Sequence, residues 1–183
     1  MSETAWLSPG TAANIDLGGT IAWVNENNIK VNDSNYATAT TTYPEITNRL
    51  VATNFGFSIP AGATINGVVV ENKTKDSYNA SNGWDNVRLI KGGVSGGTNH
   101  RPLIDGTNEI YVAAGSSSDL WGLTLTPSDV NSSDFGVGFY EQPNNLGNPR
   151  TISVNHIRMK IYYTEIPTTP IVGNKYPLPA FRR

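Results

Sequence analysis

The sequence predicts an all-β domain of antiparallel strands, followed by an extended C-terminal tail. Wherever apolar residues gather, they alternate with polar ones at a period of two, which is typical of half-buried strands. Asn, Thr, Ser and Gly supply 72 of the 183 residues, a composition that disfavours long helices and provides turns between short strands. The length fits one domain with extensions better than two full domains.

The first half of the chain contains runs of this alternation separated by turn residues, and these predict strands at 21–24, 29–31, 37–42, 51–59, 65–71 and 84–91. The run at 51–59 ends at Pro60 and Gly62, because proline removes a backbone donor and glycine allows a tight turn. The strand at 65–71 follows at once, so the two form a hairpin or pass from one sheet to another. In 84–91, Val87 and Leu89 share a face, and Gly92-Gly93 ends the strand.

The second half predicts strands at 120–126, 135–139 and 151–164. Thr126 followed by Pro127 and Asp129 indicates a short helix, with threonine as N-cap and aspartate near the positive end of the helix dipole. In 135–139 the apolar residues alternate with Gly136 and Gly138, which leave room for a neighbouring backbone or side chain. The apolar parity in 151–164 changes near 155–156, and this predicts a β-bulge.

The segments 72–84 and 141–150 are polar and are predicted to be exposed loops. The domain boundary is predicted after residue 164, so that residues 1–164 form the strand-rich domain with a short N-terminal arm. Residues 165–183 contain four prolines and carry a net charge of +2, and this density of proline excludes a helix or a central strand. We therefore expect an extended tail, which folds back on its own domain, is disordered, or docks onto a partner.

The sequence carries no signature of catalysis, so we expect a protein that is not an enzyme and has no cofactor. There is no cysteine, and the two histidines, His100 in a predicted loop and His156 at the predicted bulge, are interpreted as structural or surface residues. No nucleophile elbow, zinc motif or phosphate-binding loop occurs. The net charge of −2 and the short apolar runs predict no nucleic-acid partner and no membrane span.

The polar segment 72–84 offers two further candidates. Tyr78, Asn82 and Trp84 form a potential glycan-binding set, since aromatic faces stack on sugar rings, although burial in the domain is the alternative for Trp84 and for Trp121. Oxygen ligands for calcium are also present, but their spacing is not that of an EF-hand, and no metal site is predicted. These oxygen ligands belong to Asp76, Asn79, Asn82 and Asp85.

Six segments together resemble a β-sandwich module found in structural proteins of tailed bacteriophages and in some bacterial surface proteins. They are 35–40, 50–60, 63–71, 119–124, 129–137 and 156–163, within a region that spans about residues 30–164. The resemblance implies a jelly-roll-like β-sandwich used for assembly or attachment in a virion.

From this resemblance, together with the low charge, the lack of cysteine and the extended tail, we expect an accessory or decoration protein on a phage capsid, made in the host cytoplasm and incorporated into the virion. Its partner would be the major capsid protein or another virion protein, and it would act as a homo-oligomer. Tyr176, Phe181, Arg182 and Arg183 of the tail are the expected anchors, because aromatic residues and arginine dominate interface energetics. The alternative is a glycan- or receptor-binding module of a tail fibre or baseplate, using Tyr78, Asn82 and Trp84.

Overall fold

The computed structural model describes residues 1–77, 81–84, 86–143 and 148–166. Within them the chain forms twelve strands, a 3-10 helix at Glu26–Lys30 and a short helix α1 at Pro127–Val130. The strands are β1 (Ser2–Glu3), β2 (Thr11–Ile15), β3 (Ala37–Thr41), β4 (Arg49–Thr53), β5 (Thr64–Asp76), β6 (Ser81–Gly83), β7 (Asn86–Lys91), β8 (Val94–His100), β9 (Leu103–Asp105), β10 (Ile110–Gly115), β11 (Gly136–Tyr140) and β12 (Arg150–Thr164).

Ten of the strands form two antiparallel five-stranded sheets. In sheet A, β12 lies beside β5, β10 follows β5, and β1 and β3 pair with opposite ends of the other edge of β12. Sheet B has the order β2-β4-β11-β7-β8, and β6 and β9 form a separate pair. The chain crosses repeatedly between sheets A and B, as in jelly rolls. The predicted antiparallel β-sandwich is thus confirmed.

The two sheets enclose one apolar core because their strands alternate inward and outward side chains. Val70 and Met159 from sheet A, and Leu50 and Phe139 from sheet B, are each at most 1% exposed. They belong to a single cluster of buried residues that draws on both sheets. The side chains that point away from the core form the two outer faces of the sandwich, and many of them are polar or charged.

Several local predictions are confirmed. Helix α1 has Thr126 as N-cap, and the side chain of Asp129 completes a capping box. The register of β12 against β5 shifts between Val154 and His156, which is the predicted bulge. Strands β4 and β5 lie in different sheets, so the chain passes between sheets at this point instead of forming a hairpin.

The predicted strand at 120–126 is wrong, because the segment forms turns. Trp121 adopts a left-handed backbone with φ of 58° and is fully buried. Its indole N–H donates to the carbonyl of Val68 at 3.0 Å, and its backbone N–H donates to the carboxylate of Asp119 at 2.6 Å. The alternating burial therefore comes from a turn packed on β5 and not from an extended strand.

Other boundaries also differ from the predictions. The run at 51–59 leaves the extended conformation after Thr53, where Asn54 and Gly56 have φ of 59° and 74°. Segment 29–31 overlaps the 3-10 helix instead of a strand. The predicted loop at 72–84 is partly the end of β5, with Asp76 buried, and His100 ends β8 instead of lying in a loop.

The described part of the chain contains no helix long and apolar enough to cross a membrane.

Candidate functional site

The outer face of sheet B carries two neighbouring depressions of about 270 Å³ and 450 Å³, which meet at Leu17 and Arg49. We call them together the arginine groove. Strands β4, β7, β8 and β11 and the segment after β2 contribute to it. Its described side chains are those of Leu17, Ile46, Thr47, Arg49, Arg88, Val94, Ser95 and Tyr140.

The glycines of β11 shape the floor of the groove, because Val137 and Phe139 point into the core and the positions between them point outward. A Cβ atom at Gly138 would lie 2.6 Å from Cδ of Arg49, so the missing side chain lets Arg49 lie across the strand. A Cβ atom at Gly136 would collide with the carbonyl oxygen of Ala52. As the sequence predicts, these glycines make room for a neighbouring side chain in one case and a neighbouring backbone in the other.

Arg49 is the half-buried centre of the groove. Its Nη2 donates to Oδ1 of Asn86 at 3.4 Å, and its guanidinium carbon lies 5.6 Å from the ring centre of Tyr140. Its Nε and Nη1 are shielded from solvent and have no hydrogen-bond acceptor in the described structure. Burial, together with the nearby charge of Arg88, lowers the pKa of Arg49 from its usual value.

Arg88 lies on β7, the other neighbour of β11, and adds a second positive charge. Its Nη1 donates to the carbonyl of Gly97 on β8. Among the described residues, neither Arg49 nor Arg88 forms an ion pair with a carboxylate. The described lining of the groove also contains no Asp, Glu or His. The groove therefore presents positive charge and N–H donors without an opposing acid.

Apolar side chains border these arginines. Leu17 is 67% exposed and Val94 is 70% exposed, and both line the groove. A site that combines exposed apolar surface, an aromatic ring and a few charged donors can hold a ligand with both apolar and polar faces.

The outer face of sheet A has a different character. We call it the aromatic face, defined by the half-buried rings of Trp6, Tyr36, Tyr111 and Tyr162. The guanidinium of Arg158 lies between two of these rings, 4.6 Å from the centre of Trp6 and 3.9 Å from the centre of Tyr111. Such cation–π stacks fix the rings in place.

Acidic side chains pair with three cations of the aromatic face. Arg158 pairs with Glu71 at 2.6 Å, Lys73 with Glu109 at 3.1 Å, and Lys160 with Glu3 at 2.9 Å. A fourth cation, Lys75, lies 4.3 Å from the ring centre of Tyr36. Most of the positive charge on this face is therefore compensated by acids, in contrast to the arginine groove.

His156 fastens the N-terminal segment to the aromatic face. Its Nε2 lies 2.8 Å from Oγ of Ser8, and its Nδ1 lies 2.9 Å from Oη of Tyr111. Burial and the nearby cations Arg158 and Lys73 lower the pKa of His156, which favours the neutral ring. The residue occupies the bulge that the sequence predicts, where its contacts are structural.

The chain matches no protein-family model, and no curated protein matches it in sequence. Among solved structures it is similar to a chain described as "CBM4 structure and function", with 10% identity and a TM-score of 0.41. That similarity covers 84% of this chain and 92% of the other chain.

The residues proposed from the sequence for glycan binding do not form a described site. Trp84 is 1% exposed and packs against Trp23 and Phe139, with ring centres 6.0 Å and 5.1 Å away. This corrects its assignment as a sugar platform in favour of the buried alternative. Asn82 lies on β6, but its side chain and the whole of Tyr78 are outside the described residues.

The tail anchors Tyr176, Phe181, Arg182 and Arg183 also lie outside the described residues. Of the oxygen ligands considered for calcium, Asp76 is instead buried beside the guanidinium of Arg150. Asn79 and Asp85 lie outside the described part of the chain, and the side chain of Asn82 does too.

Sequence reasoning missed Arg49 and Arg88, although part of the signal was present. The alternating glycines of β11 predict space for a neighbouring side chain on the outer face. The identity of that neighbour depends on the pairing of β11 with β4 and β7. This pairing joins strands that are distant in the chain, and no local pattern specifies it.

Proposed function

We propose that the chain is a non-enzymatic binding module that holds a carbohydrate in the arginine groove. The observation that carries this proposal is the open groove itself, in which unpaired arginine donors lie beside Tyr140 and an exposed apolar rim. A sugar ring has an apolar face that packs on aromatic or aliphatic groups, and hydroxyl oxygens that accept hydrogen bonds from N–H donors.

Binding without catalysis is supported by the composition of the groove. Glycoside hydrolysis requires a pair of carboxylic acids on either side of the scissile bond. The described side chains that line the groove include no Asp or Glu. The groove therefore offers groups that hold and orient a ligand, without the acid and base that would cleave it.

A glycan array probed with the full-length protein tests this proposal. We expect at least one class of glycan to bind, and we expect Tyr140→Ala to weaken that binding by about tenfold through loss of ring contact. Tyr162→Ala is the matched control, because it removes a tyrosine from the opposite face of the sandwich. The proposal fails if no glycan binds, or if Tyr140→Ala binds as tightly as the unchanged protein.

A second candidate function is that of an accessory virion protein that binds a capsid as a homo-oligomer. The aromatic face supports it, because half-buried Trp, Tyr and Arg side chains are the types that contribute most to protein interfaces. Its localisation would be the virion, after assembly in the host cytoplasm, with the major capsid protein as partner.

Deleting residues 165–183 tests this second candidate. We expect the shortened chain to remain folded, because all the described strands of both sheets are retained, and to lose its binding to capsids. Circular dichroism would establish the fold, and capsid sedimentation would measure occupancy. Unchanged occupancy after the deletion would argue against the tail as the attachment element.

A further inference from the structure

We infer that the arginine groove selects acidic glycans, with a sugar carboxylate bound by Arg49 and Arg88. This inference rests on the proposed function and narrows it to uronic or sialic acid ligands. A neutral sugar would use the same apolar rim and tyrosine, but it would leave the two positive charges of the groove without a counter-ion.

The first support is the way in which this chain pairs its other cations. Among the described residues outside the groove, Lys75 contacts Tyr36, whereas five lysines and arginines form ion pairs with a carboxylate, namely Lys73, Lys91, Arg150, Arg158 and Lys160. Arg49 and Arg88 do not, although the chain as a whole carries net charge −2 and has acidic residues in excess. Unpaired arginines are therefore a property of this surface and do not reflect a shortage of acids.

The second support is that the two arginines are in an energetically unfavourable environment. Two nitrogens of Arg49 are shielded from solvent without an acceptor, and an unsatisfied donor on a charged group is unfavourable. Two like charges near one another add repulsion. The opposite charge of a ligand's anionic group would relieve the repulsion, and its oxygens would supply acceptors to Arg49 once this side chain turns toward the groove.

The third support is the type of residue and the space around it. A guanidinium is a planar, permanently charged donor with five N–H bonds, and it suits recognition of a carboxylate better than a flexible ammonium does. The missing side chain at Gly138 and the depression beside Arg49 leave the surface above the strand open. A carboxylate can approach Arg49 from this open side while the sugar ring rests on the rim.

The decisive experiment compares each acidic glycan with its own methyl ester, which keeps the ring and removes the charge. The probes are tetragalacturonic acid and 3′-sialyllactose, each as free acid and as ester, with binding measured by calorimetry on the full-length protein. We expect at least one free acid to bind about tenfold more tightly than its ester. This preference should shrink as sodium chloride rises from about 0.05 M to about 0.5 M.

Arg49→Gln and Arg88→Gln should each weaken binding of the free acid more than binding of the ester, so that the preference for the free acid shrinks. Arg88→Gln keeps the test valid if loss of Arg49 disturbs folding, and thermal melting checks both variants. Arg101→Gln is the matched control, because it removes an exposed arginine whose side chain does not line the groove.

The outcomes separate this inference from the function on which it rests. Equal affinity for acid and ester, or a preference that survives both substitutions, overturns the inference while carbohydrate binding stands. The inference also fails if only neutral glycans bind and that binding depends on Tyr140. If no glycan of either kind binds, both proposals are overturned.

Discussion

At the scale of the residue, Gly136 and Gly138 both face outward on β11, but each leaves room for a different neighbour. A side chain at Gly138 would meet the flexible side chain of Arg49, whereas one at Gly136 would meet the backbone of β4 at the carbonyl of Ala52. The backbone of a paired strand cannot yield without losing its ladder hydrogen bonds. The same substitution should therefore disturb function at one position and folding at the other.

We predict that Gly138→Ala lowers stability by about 1 kcal/mol and weakens ligand binding, because Arg49 must leave its place across the strand. Gly136→Ala should cost at least about 3 kcal/mol, because the added methyl group collides with backbone. Urea unfolding measures stability, and calorimetry with the best-binding glycan measures affinity. A larger loss of stability at 138 than at 136 would contradict this account of the groove floor.

At the scale of the element, His156 contacts the N-terminal segment, and its lowered pKa favours the neutral ring in the folded protein. The ring contacts Ser8 of that segment and Tyr111 of β10, with Arg158 and Lys73 nearby. Because the pKa of His156 is lower in the folded protein than in the unfolded chain, the unfolded chain binds more protons below about pH 6.5. Stability should therefore be complete above that pH and fall as the pH decreases toward the folded pKa.

The measurement is the free energy of unfolding in urea between about pH 7.5 and pH 5, compared with that of His156→Gln. Each unit by which folding lowers the histidine pKa contributes about 1.4 kcal/mol to the difference between these pH values. The glutamine variant should lose that part of the slope, while carboxylate titrations affect both proteins alike. Parallel curves for the two proteins would contradict the prediction.

Some of these elements could be predicted from the sequence and others could not. The bulge in β12, the cap of α1 and the glycines of β11 were predictable because each depends on neighbouring residues in the chain. The turn at Trp121 was mistaken for a strand, because burial at alternate positions has the same appearance whichever backbone produces it. The prediction of an exposed loop at 72–84 was wrong for residues 72–76, which belong to β5. Their polar residues Asn72 and Thr74 are buried because β5 pairs with β12, a strand that is distant in the sequence.

The same limit applies to the candidate site. The position of Trp84 near a polar loop suggested a sugar-stacking ring, but this ring is buried in the core. Arg49 and Arg88 had no local signal, since they meet only when β4 and β7 flank β11. Sites assembled from several strands of a sandwich depend on pairing, and pairing is what a single sequence specifies least directly.

At the scale of the whole molecule, the two outer faces divide the charges of the chain between them. The aromatic face pairs three of its cations with acids, while the groove on sheet B leaves two arginines without a carboxylate partner among the described residues. A ring-rich surface whose charges are mostly paired favours contact with another protein, and an uncompensated positive groove favours an acidic ligand. One sandwich can therefore carry an assembly surface and a binding surface back to back, without a contact between them.

A buried ionic cluster joins the two sheets at one end of the sandwich. Arg150 of β12 contacts Asp76 of β5 and also Glu141, the residue that follows β11, and all three side chains are at most 4% exposed. We predict that Arg150→Met destabilises the protein by about 3–5 kcal/mol, because it removes the buried guanidinium that both buried acids contact. Lys73→Gln, which breaks a partly exposed ion pair, should lower the stability by no more than about 1 kcal/mol.

Because the cluster spans both sheets, unfolding by urea should remain a single transition in which fluorescence and circular dichroism coincide. Separate transitions, or equal costs for the two variants, would mean that this cluster does not couple the sheets.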